Sequence, residues 1–566
     1  MLVLGLNGWG DRTHDSSACL IVDGQIAAFA EEERFTRIKH GFDTSPTNAA
    51  RFCLNWSGVE LSDIDVVAFG WDIPRLAAAR NIGTRQIDPD LRKILPRELF
   101  PRDHEPQVEY VDHHLAHAAS AYLYSGSPSA AVLVIDGQGE TASATAYHAR
   151  DGKLSPVWSY PVGWSLGYFY EAACAYAGMR TFDAGKLMGL AAHGTPSDAL
   201  DDLIRVTDHG YECPTMGTDY IRPGYSDEQA PILAAWMRQF EDRFALPPNV
   251  IQTVSASSGP GSTRDTYEYR DMAATVQQQL EKAVLAIAAD VLKRTGEQVL
   301  AVAGGVAFNA TLNGKLRGLD GLRELFVQPV AGDAGVALGA AALIASSAGS
   351  GLSPLTTNLA YGPEYGDDQV QATLEATGVA FSKPDDIAQA AADRIERGCL
   401  IGWFQGRAEV GPRALGSRSL LSLPSHRATR DRVNLEAKRR EGWRPLAPSL
   451  QLERAPEILG GKQRLPFMVE TAQVVDEFRP LLEAVVHEDG STRPQTVEAT
   501  TLPLFHDLLG RLPNGIALNT SFNGRDEPIV STPEQALRTA HALNLDALAI
   551  GPFLIEFEDD AVGVNH

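Results

Sequence analysis

A chain of 566 residues is too long for one hydrophobic core and divides into two or three domains. Its 44% hydrophobic and 21% charged residues suit a water-exposed globular protein, and no run reaches the ~18 apolar residues of a membrane span. A net charge of −23 speaks against a sequence-independent grip on nucleic acid, and five scattered cysteines with no CxxC pair speak against a disulfide framework or a thiolate zinc site.

The N-terminal segment lacks a basic stretch and runs directly into a patterned strand, so no signal peptide is expected, and a reducing cytoplasm fits. Residues 2–7 (LVLGLN) read as a buried strand. A polar loop over 8–17, a strand over 18–22, an Asp23-Gly24 turn and a return strand over 25–30 follow. The charged run 31–40 (EEERFTRIKH) reads as a solvated helix face, and the roles of Arg34 and Lys39 stay open. The opening pattern then recurs: a strand over 131–135, an acidic glycine-rich loop over 136–140, a strand over 141–148, an Asp151-Gly152 turn and a return over 154–161. Strand, polar loop and hairpin occurring twice predict duplicated lobes.

A helix is expected over 271–295, closed by Gly296, then strands over 299–302 and 325–329. Residues 332–335 (GDAG) lead into an alanine-rich helix. The Ser/Gly/Pro-rich stretch 346–363 is the expected boundary, dividing 1–350 from 351–566. Beyond it, strands are expected over 400–404, 515–518 and 547–550.

The sharpest local signal is HHLAH over 113–117. His113 and His117 are four apart and share one helical face, whereas His114 points elsewhere. Asp136 and Asp333 each stand at a strand end. Two imidazoles and two carboxylates make a nitrogen–oxygen site suited to a divalent metal such as iron, manganese or zinc. The plain alternatives are a helix cap for Asp333 and a turn for Asp136.

Gly304 and Gly305, with Asn309, follow a strand and open a helix, as a nucleotide loop would. His14 is the one group in the first polar loop that titrates near neutrality, and it is the candidate base for a substrate hydroxyl. Lys186, in a small-residue segment, either meets a phosphate or packs in a helix. Arg407, Arg413, Arg418, Lys438, Arg440, Arg444 and Arg493 lie among glycines and prolines, and Asn519 and Ser521 follow a strand. Guanidinium groups so held suit an oriented oxyanion. The patch lacks the interleaved aromatics of a nucleic-acid site.

The segments LGLNGWGDRTHDSSACLIVDG, EEERFTRIKHG, HHLAHAASAY, VIDGQGE, GKLMGLAAHG, AGGVAFNATLN, AGDAGVALGAA, EVGPRALGSRSLL, KRREGWRPLAPS and NTSFN, in this order, resemble the NodU/CmcH carbamoyltransferase family. The resemblance implies an α/β protein whose N-terminal domain has the duplicated sugar kinase–actin fold and whose C-terminal domain is YrdC-like. It implies ATP and carbamoyl phosphate as substrates, with Mg accompanying ATP, a carbamoyl-adenylate intermediate and a hydroxylated small-molecule acceptor, with neither nucleic acid nor membrane as partner. It places the metal, Fe(II) in the family, on His113, His117, Asp136 and Asp333, the carbamoyl-phosphate and adenylate contacts on Lys438, Arg444, Arg493, Asn519 and Ser521, and transfer beside His14. The segment 197–268 matches no motif and is expected to shape the acceptor site. The rivals are a sugar-kinase-like ATPase, a tRNA-modifying enzyme and a non-catalytic nucleotide binder.

Overall fold

The computed structural model describes residues 1–10, 13–83, 91–218, 220, 229–249, 251–252, 261–262, 264–355, 358–461 and 464–557. Parts of three expected features therefore lie outside the described residues: 11–12 of the first polar loop, 356–357 of the boundary, and 219, 221–228, 250, 253–260 and 263 of the expected acceptor segment. The chain divides into two compact units. The first is Met1–Glu32 with Phe42–Leu355, and the second is Glu33–Gly41 with Thr356–His566.

The first unit contains two five-stranded sheets. One is built from β1 (Leu2–Asn7), β2 (Ser17–Val22), β3 (Gln25–Glu31), β4 (Val66–Phe69) and β5 (Gln107–Tyr110). The other is built from β6 (Ser129–Ile135), β7 (Ala142–Arg150), β8 (Lys153–Pro161), β9 (Val299–Ala303) and β10 (Glu324–Val327). Their orders are β3-β2-β1-β4-β5 and β8-β7-β6-β9-β10. In each sheet the hairpin strands pair antiparallel and the last two join in parallel. The same order and the same pairing in both sheets make this a duplicated fold, as the repeated hairpins predicted, and of the sugar kinase–actin type that the family resemblance implied.

Two helices pack between the sheets. α1 (His113–Tyr122) follows β5 but packs on β6 and β9, and a third helix (Ala334–Ser347) follows β10 but packs on β1, β2 and β4. These two helices also pack on each other. Their approach is close because the facing residues are small: a Cβ on Gly339 would lie 1.8 Å from the Ala116 carbonyl oxygen. Only glycine fits there, so the two helix backbones can lie against each other at this point. α2 (Arg270–Thr295) runs nearly as the sequence predicts, with Gly296 closing it at φ 69; the helix Ala334–Ser347 is α3.

The second unit is α/β around one mixed seven-stranded sheet. Its strands are β11 (Ile401–Phe404), β12 (Arg418–Ser422), β13 (Ala447–Gln451), β14 (Gln495–Val497), β15 (Ile516–Ser521), β16 (Ala547–Ile550) and β17 (Phe553–Glu556), in the order β14-β13-β15-β12-β11-β16-β17. Alternate residues enter two separate apolar cores: Phe404, Leu420 and Leu518 one, Trp403, Leu421 and Ala517 the other. The sheet is therefore covered on both faces.

The charged run 31–40 is not a solvated face. Glu31, Glu32, Glu33 and Arg34 are all buried. Glu32 accepts from the Asn48 side chain and the Ala49 amide, and the segment from Glu33 onward belongs to the second unit. Burial was hidden because Glu32 and Arg34 find partners distant in sequence, at Asn48 and Ala49 for the one and Gly411 for the other. No helix among the described residues is long and apolar enough to cross a membrane.

A candidate metal centre and a candidate oxyanion site

His113 opens α1, whose N-cap Asp112 accepts from the Leu115 amide. Glu140, at the end of the loop after β6, accepts the His113 amide at 3.0 Å and the Asp72 amide at 2.7 Å. His113 Nδ1 lies 3.1 Å from the Gly70 carbonyl oxygen and its ring stacks on Trp71 at 3.9 Å. A carbonyl can only accept, so Nδ1 carries the proton and Nε2 is left facing the carboxylates. Asp136 Oδ1 accepts the Gly305 amide at 2.9 Å, leaving Oδ2 for the histidines. Asp333 stands at the N-cap of α3 but makes no capping bond. Its carboxylate faces His113 and His117 instead.

The Nε2 atoms of His113 and His117 lie 3.3 and 3.6 Å from Asp136 Oδ2, and 3.6 and 3.7 Å from Asp333 Oδ1. Donors around a metal at ~2.1 Å stand roughly 3.0–3.5 Å apart, so the set would draw in by a few tenths of an ångström to hold a divalent cation. Both ring nitrogens of buried His117 lack a hydrogen-bond partner among the described residues. Burial works against charge on His113, yet Asp333 and Asp136 hold its pKa well above the usual imidazole value. Burial alone would raise the Asp333 carboxyl, but His113 and His117 bring it down to about 2. The cluster calls for positive charge where a cation would sit. His114 is turned away: Nδ1 meets Thr145 Oγ1 at 2.8 Å.

His14 lies beside this cluster. Its Nδ1 meets Asp15 Oδ2 at 3.1 Å, its Nε2 is 4.0 Å from Asp333 Oδ2, and Phe182 packs edge-on against its ring. Desolvation disfavours its charge, but Asp15 and Asp333 raise its pKa to about 9. The expected nucleotide loop is engaged in structural bonds. Gly304, at φ 91, passes where a Cβ would meet the Ile135 carbonyl oxygen at 2.2 Å. The Gly305 amide holds Asp136, and Asn309 caps the helix Ala310–Leu316 through the Leu312 amide. Lys186 pairs with Asp183 at 2.8 Å in the helix Ala184–Ala191.

In the second unit, Lys438, 3% exposed, donates to the Ser521 carbonyl at 2.6 Å, Ser521 Oγ at 3.2 Å and Asn523 Oδ1 at 3.0 Å. Burial, then Arg440, Arg444 and Lys39, push its pKa well below the usual lysine value. Burial, then Arg413, Arg440 and Arg444, do the same to Arg493. Arg413 is pushed down to about 10 by burial and Arg444. Arg493 Nη1 and Arg413 Nε have no hydrogen-bond partner among the described residues. Crowded cations with donors to spare make a site for an oxyanion.

Three residues expected at this site do other things. Arg418, fully buried, donates to the carbonyls of Gln405, Ser417, Pro363 and Gly406 and lies over the Phe404 ring at 3.6 Å. Asn519 donates to Ala414 O, Ser449 Oγ and Gln495 Oε1. An arginine among glycines looks alike whether it meets a ligand or a ring of carbonyls, and only burial separates the two. Arg407 likewise donates to Gly362 O and Tyr361 O. Conversely, Glu140, Trp71 and Asp15 take part in the sites without having been singled out.

The carbamoyltransferase N-terminus family profile matches residues 4–342, and the carbamoyltransferase C-terminus profile matches residues 392–556. The chain is 35% identical to the nodulation protein NolNO of Sinorhizobium fredii, over 98% of this chain and 82% of that protein. It is 27% identical to the 3'-hydroxymethylcephem-O-carbamoyltransferase of Streptomyces clavuligerus, over 95% of this chain and 96% of that protein. Among solved structures, full-length HypF in its phosphate- and nucleotide-bound form aligns at 16% identity with a TM-score of 0.31, covering 62% of this chain and 56% of that one. A ROK hexokinase from Thermus thermophilus aligns at 16% identity with a TM-score of 0.30, covering 61% of this chain and 98% of that one.

Proposed function

The chain belongs to the carbamoyltransferase family, an enzyme family that moves a carbamoyl group from a donor to an acceptor, and on that premise we propose an ATP-dependent O-carbamoyltransferase working through carbamoyl-adenylate. The observation that supports this reading is the crowded cation cluster of Lys438, Arg413, Arg440, Arg444 and Arg493, whose charges repel one another and in which Arg413 Nε and Arg493 Nη1 have no hydrogen-bond partner among the described residues.

There, in the YrdC-like unit, carbamoyl phosphate and ATP, accompanied by Mg, bind through their phosphates. Water takes the phosphoryl group from carbamoyl phosphate, the freed carbamate oxygen attacks the α-phosphorus of ATP, and pyrophosphate leaves. Lys438, held by Ser521 and Asn523, steadies the charge on the phosphates. In the first unit, His113, His117, Asp136 and Asp333 would hold a divalent cation, Fe(II) by family resemblance, with Gly304 and Gly305 beside the adenylate. Such a cation supplies positive charge to an oxygen gaining negative charge in the reaction. His14, oriented by Asp15, takes the proton of the acceptor hydroxyl as its oxygen attacks the carbamoyl carbon and AMP departs. The enzyme works in the cytoplasm, where ATP and carbamoyl phosphate are at hand.

The acceptor is a hydroxyl of a natural product. The relative named for a cephem substrate supports this class, and within it the proposal sets the chain beside the tobramycin (nebramycin) O-carbamoyltransferase. Incubating the full chain with ATP, carbamoyl phosphate and hydroxylated antibiotics, tobramycin included, is expected to add the mass of one HNCO to an acceptor. Mass gain without ATP, or ATP hydrolysis indifferent to carbamoyl phosphate, would sink the proposal.

Replacing Lys438 or Arg444 by alanine is expected to slow pyrophosphate release by one to two decades, the worth of a charge-assisted contact of ~1.5–3 kcal/mol. Transfer from supplied carbamoyl-adenylate persists in both variants. Its loss would show that these residues do not serve activation.

A further inference from the structure

The geometry points to Glu33–Gly41 as a strap that completes the oxyanion site: Arg34 braces the loop that leads to Arg413, and Arg37 braces the loop that carries the acceptors of Lys438. The inference rests on the reading of the second unit as the activating one. Although residues 33–41 stand in sequence between β3 and the rest of the first unit, they pack with the second.

Arg34 is 5% exposed and donates to the Gly411 carbonyl at 2.6 Å. Gly411 is two residues from Arg413. Arg37 donates to the Ile529 and Pro528 carbonyls, both at 2.7 Å. That loop begins at Ser521 and Asn523, the two partners of Lys438, and is pinned again where the Val530 amide donates to the Phe522 carbonyl. Glu33 holds the strap in its turn: it accepts the His40 amide at 2.7 Å and stands 3.5 Å from Arg34 and 3.7 Å from Lys39. Lys39 is among the charges acting on Lys438.

A fork with two parallel bonds to successive carbonyls fixes a loop in direction as well as distance. Without it, the backbone from Asn523 to Ile529 keeps fewer restraints, and the Lys438 ammonium loses the fixed acceptors that aim it. Arg34 and Arg37 are thus positioning residues. They touch no substrate and act through Arg413, Lys438 and their loops.

The test uses full-length chain and inorganic phosphate as the probe, which reads the site apart from the chemistry. Arg37→Gln is expected to weaken phosphate binding, followed by calorimetry, about tenfold, and Arg37→Lys, which keeps one bond, by less. Lys39→Gln, at a partly exposed position tolerant of change, weakens it severalfold, with a gap that narrows as salt is raised. In the coupled assay, Arg37→Gln raises KM for carbamoyl phosphate more than it lowers kcat. Transfer from supplied carbamoyl-adenylate stays at the parent rate. Unchanged phosphate affinity in both Arg37→Gln and Lys39→Gln overturns the strap, and so does an equal loss of both half-reactions in Arg37→Gln. A parent chain that binds phosphate but releases no pyrophosphate with carbamoyl phosphate and ATP overturns the activation reading instead, and leaves the strap to be judged on phosphate binding.

Discussion

Replacing His113 or His117 with alanine is expected to leave the protein without its metal and without transfer activity, while pyrophosphate release continues. Each imidazole supplies one of the four donors that, among the described residues, lie within 4.8 Å of one another, and the two carboxylates cannot hold a cation firmly alone. The cost goes beyond one bond: removing His113 also abandons the Gly70 carbonyl and the Trp71 face that fix the ring. His114→Ala is the internal control. It forfeits one hydrogen bond to Thr145, about 1 kcal/mol of stability, and keeps the metal. Elemental analysis and the two half-reactions, measured on the same preparations, decide the matter. A His113→Ala protein with full metal and full transfer would remove the metal centre from the mechanism.

Replacing His14 with alanine is expected to slow transfer from supplied carbamoyl-adenylate by roughly 10²–10⁴-fold, the usual worth of a positioned general base. Metal content and pyrophosphate release stay at the parent level, because His14 is not among the four donors and lies in the other unit from the cation cluster. The pH profile carries a sign. Asp15 and Asp333 raise the His14 pKa to about 9 against desolvation, so the ring is mostly protonated at neutral pH, and a base must be neutral to act. Transfer therefore rises with pH through the neutral range, and a cation on Asp333 moves the midpoint down. Asp15→Asn, which loses the carboxylate on Nδ1, shifts the profile further in that direction and slows transfer less than His14→Ala. A rate independent of pH in the parent, or unaltered transfer in His14→Ala, would take His14 out of the reaction.

Much of this was legible in the residues. The spacing of His113 and His117 places both on one face of a helix whatever the rest of the chain does, because helical period is local. The repeated hairpin patterns at 2–30 and 131–161 announced the duplication for the same reason: alternation and Asp-Gly turns are short-range signals. So was the concentration of arginines between Arg407 and Arg444.

What the local pattern could not carry is where a buried polar group finds its partner. Arg418 and Arg413 sit in one motif, yet one spends its donors on backbone carbonyls and the other keeps Nε unpartnered. Asp333 occupies a cap position and does not cap, since His113 and His117 arrive from a helix that leaves the first sheet and packs on the second. The carbonyls that take up Arg37 lie 492 and 491 residues along the chain. Periodicity is written into neighbouring residues, whereas the destination of a hydrogen bond across such distances exists only once the sheets and helices have packed, which is why the elements and the histidine pair could be read from the sequence and the strap, the groups that orient His113 and the role of Arg418 could not.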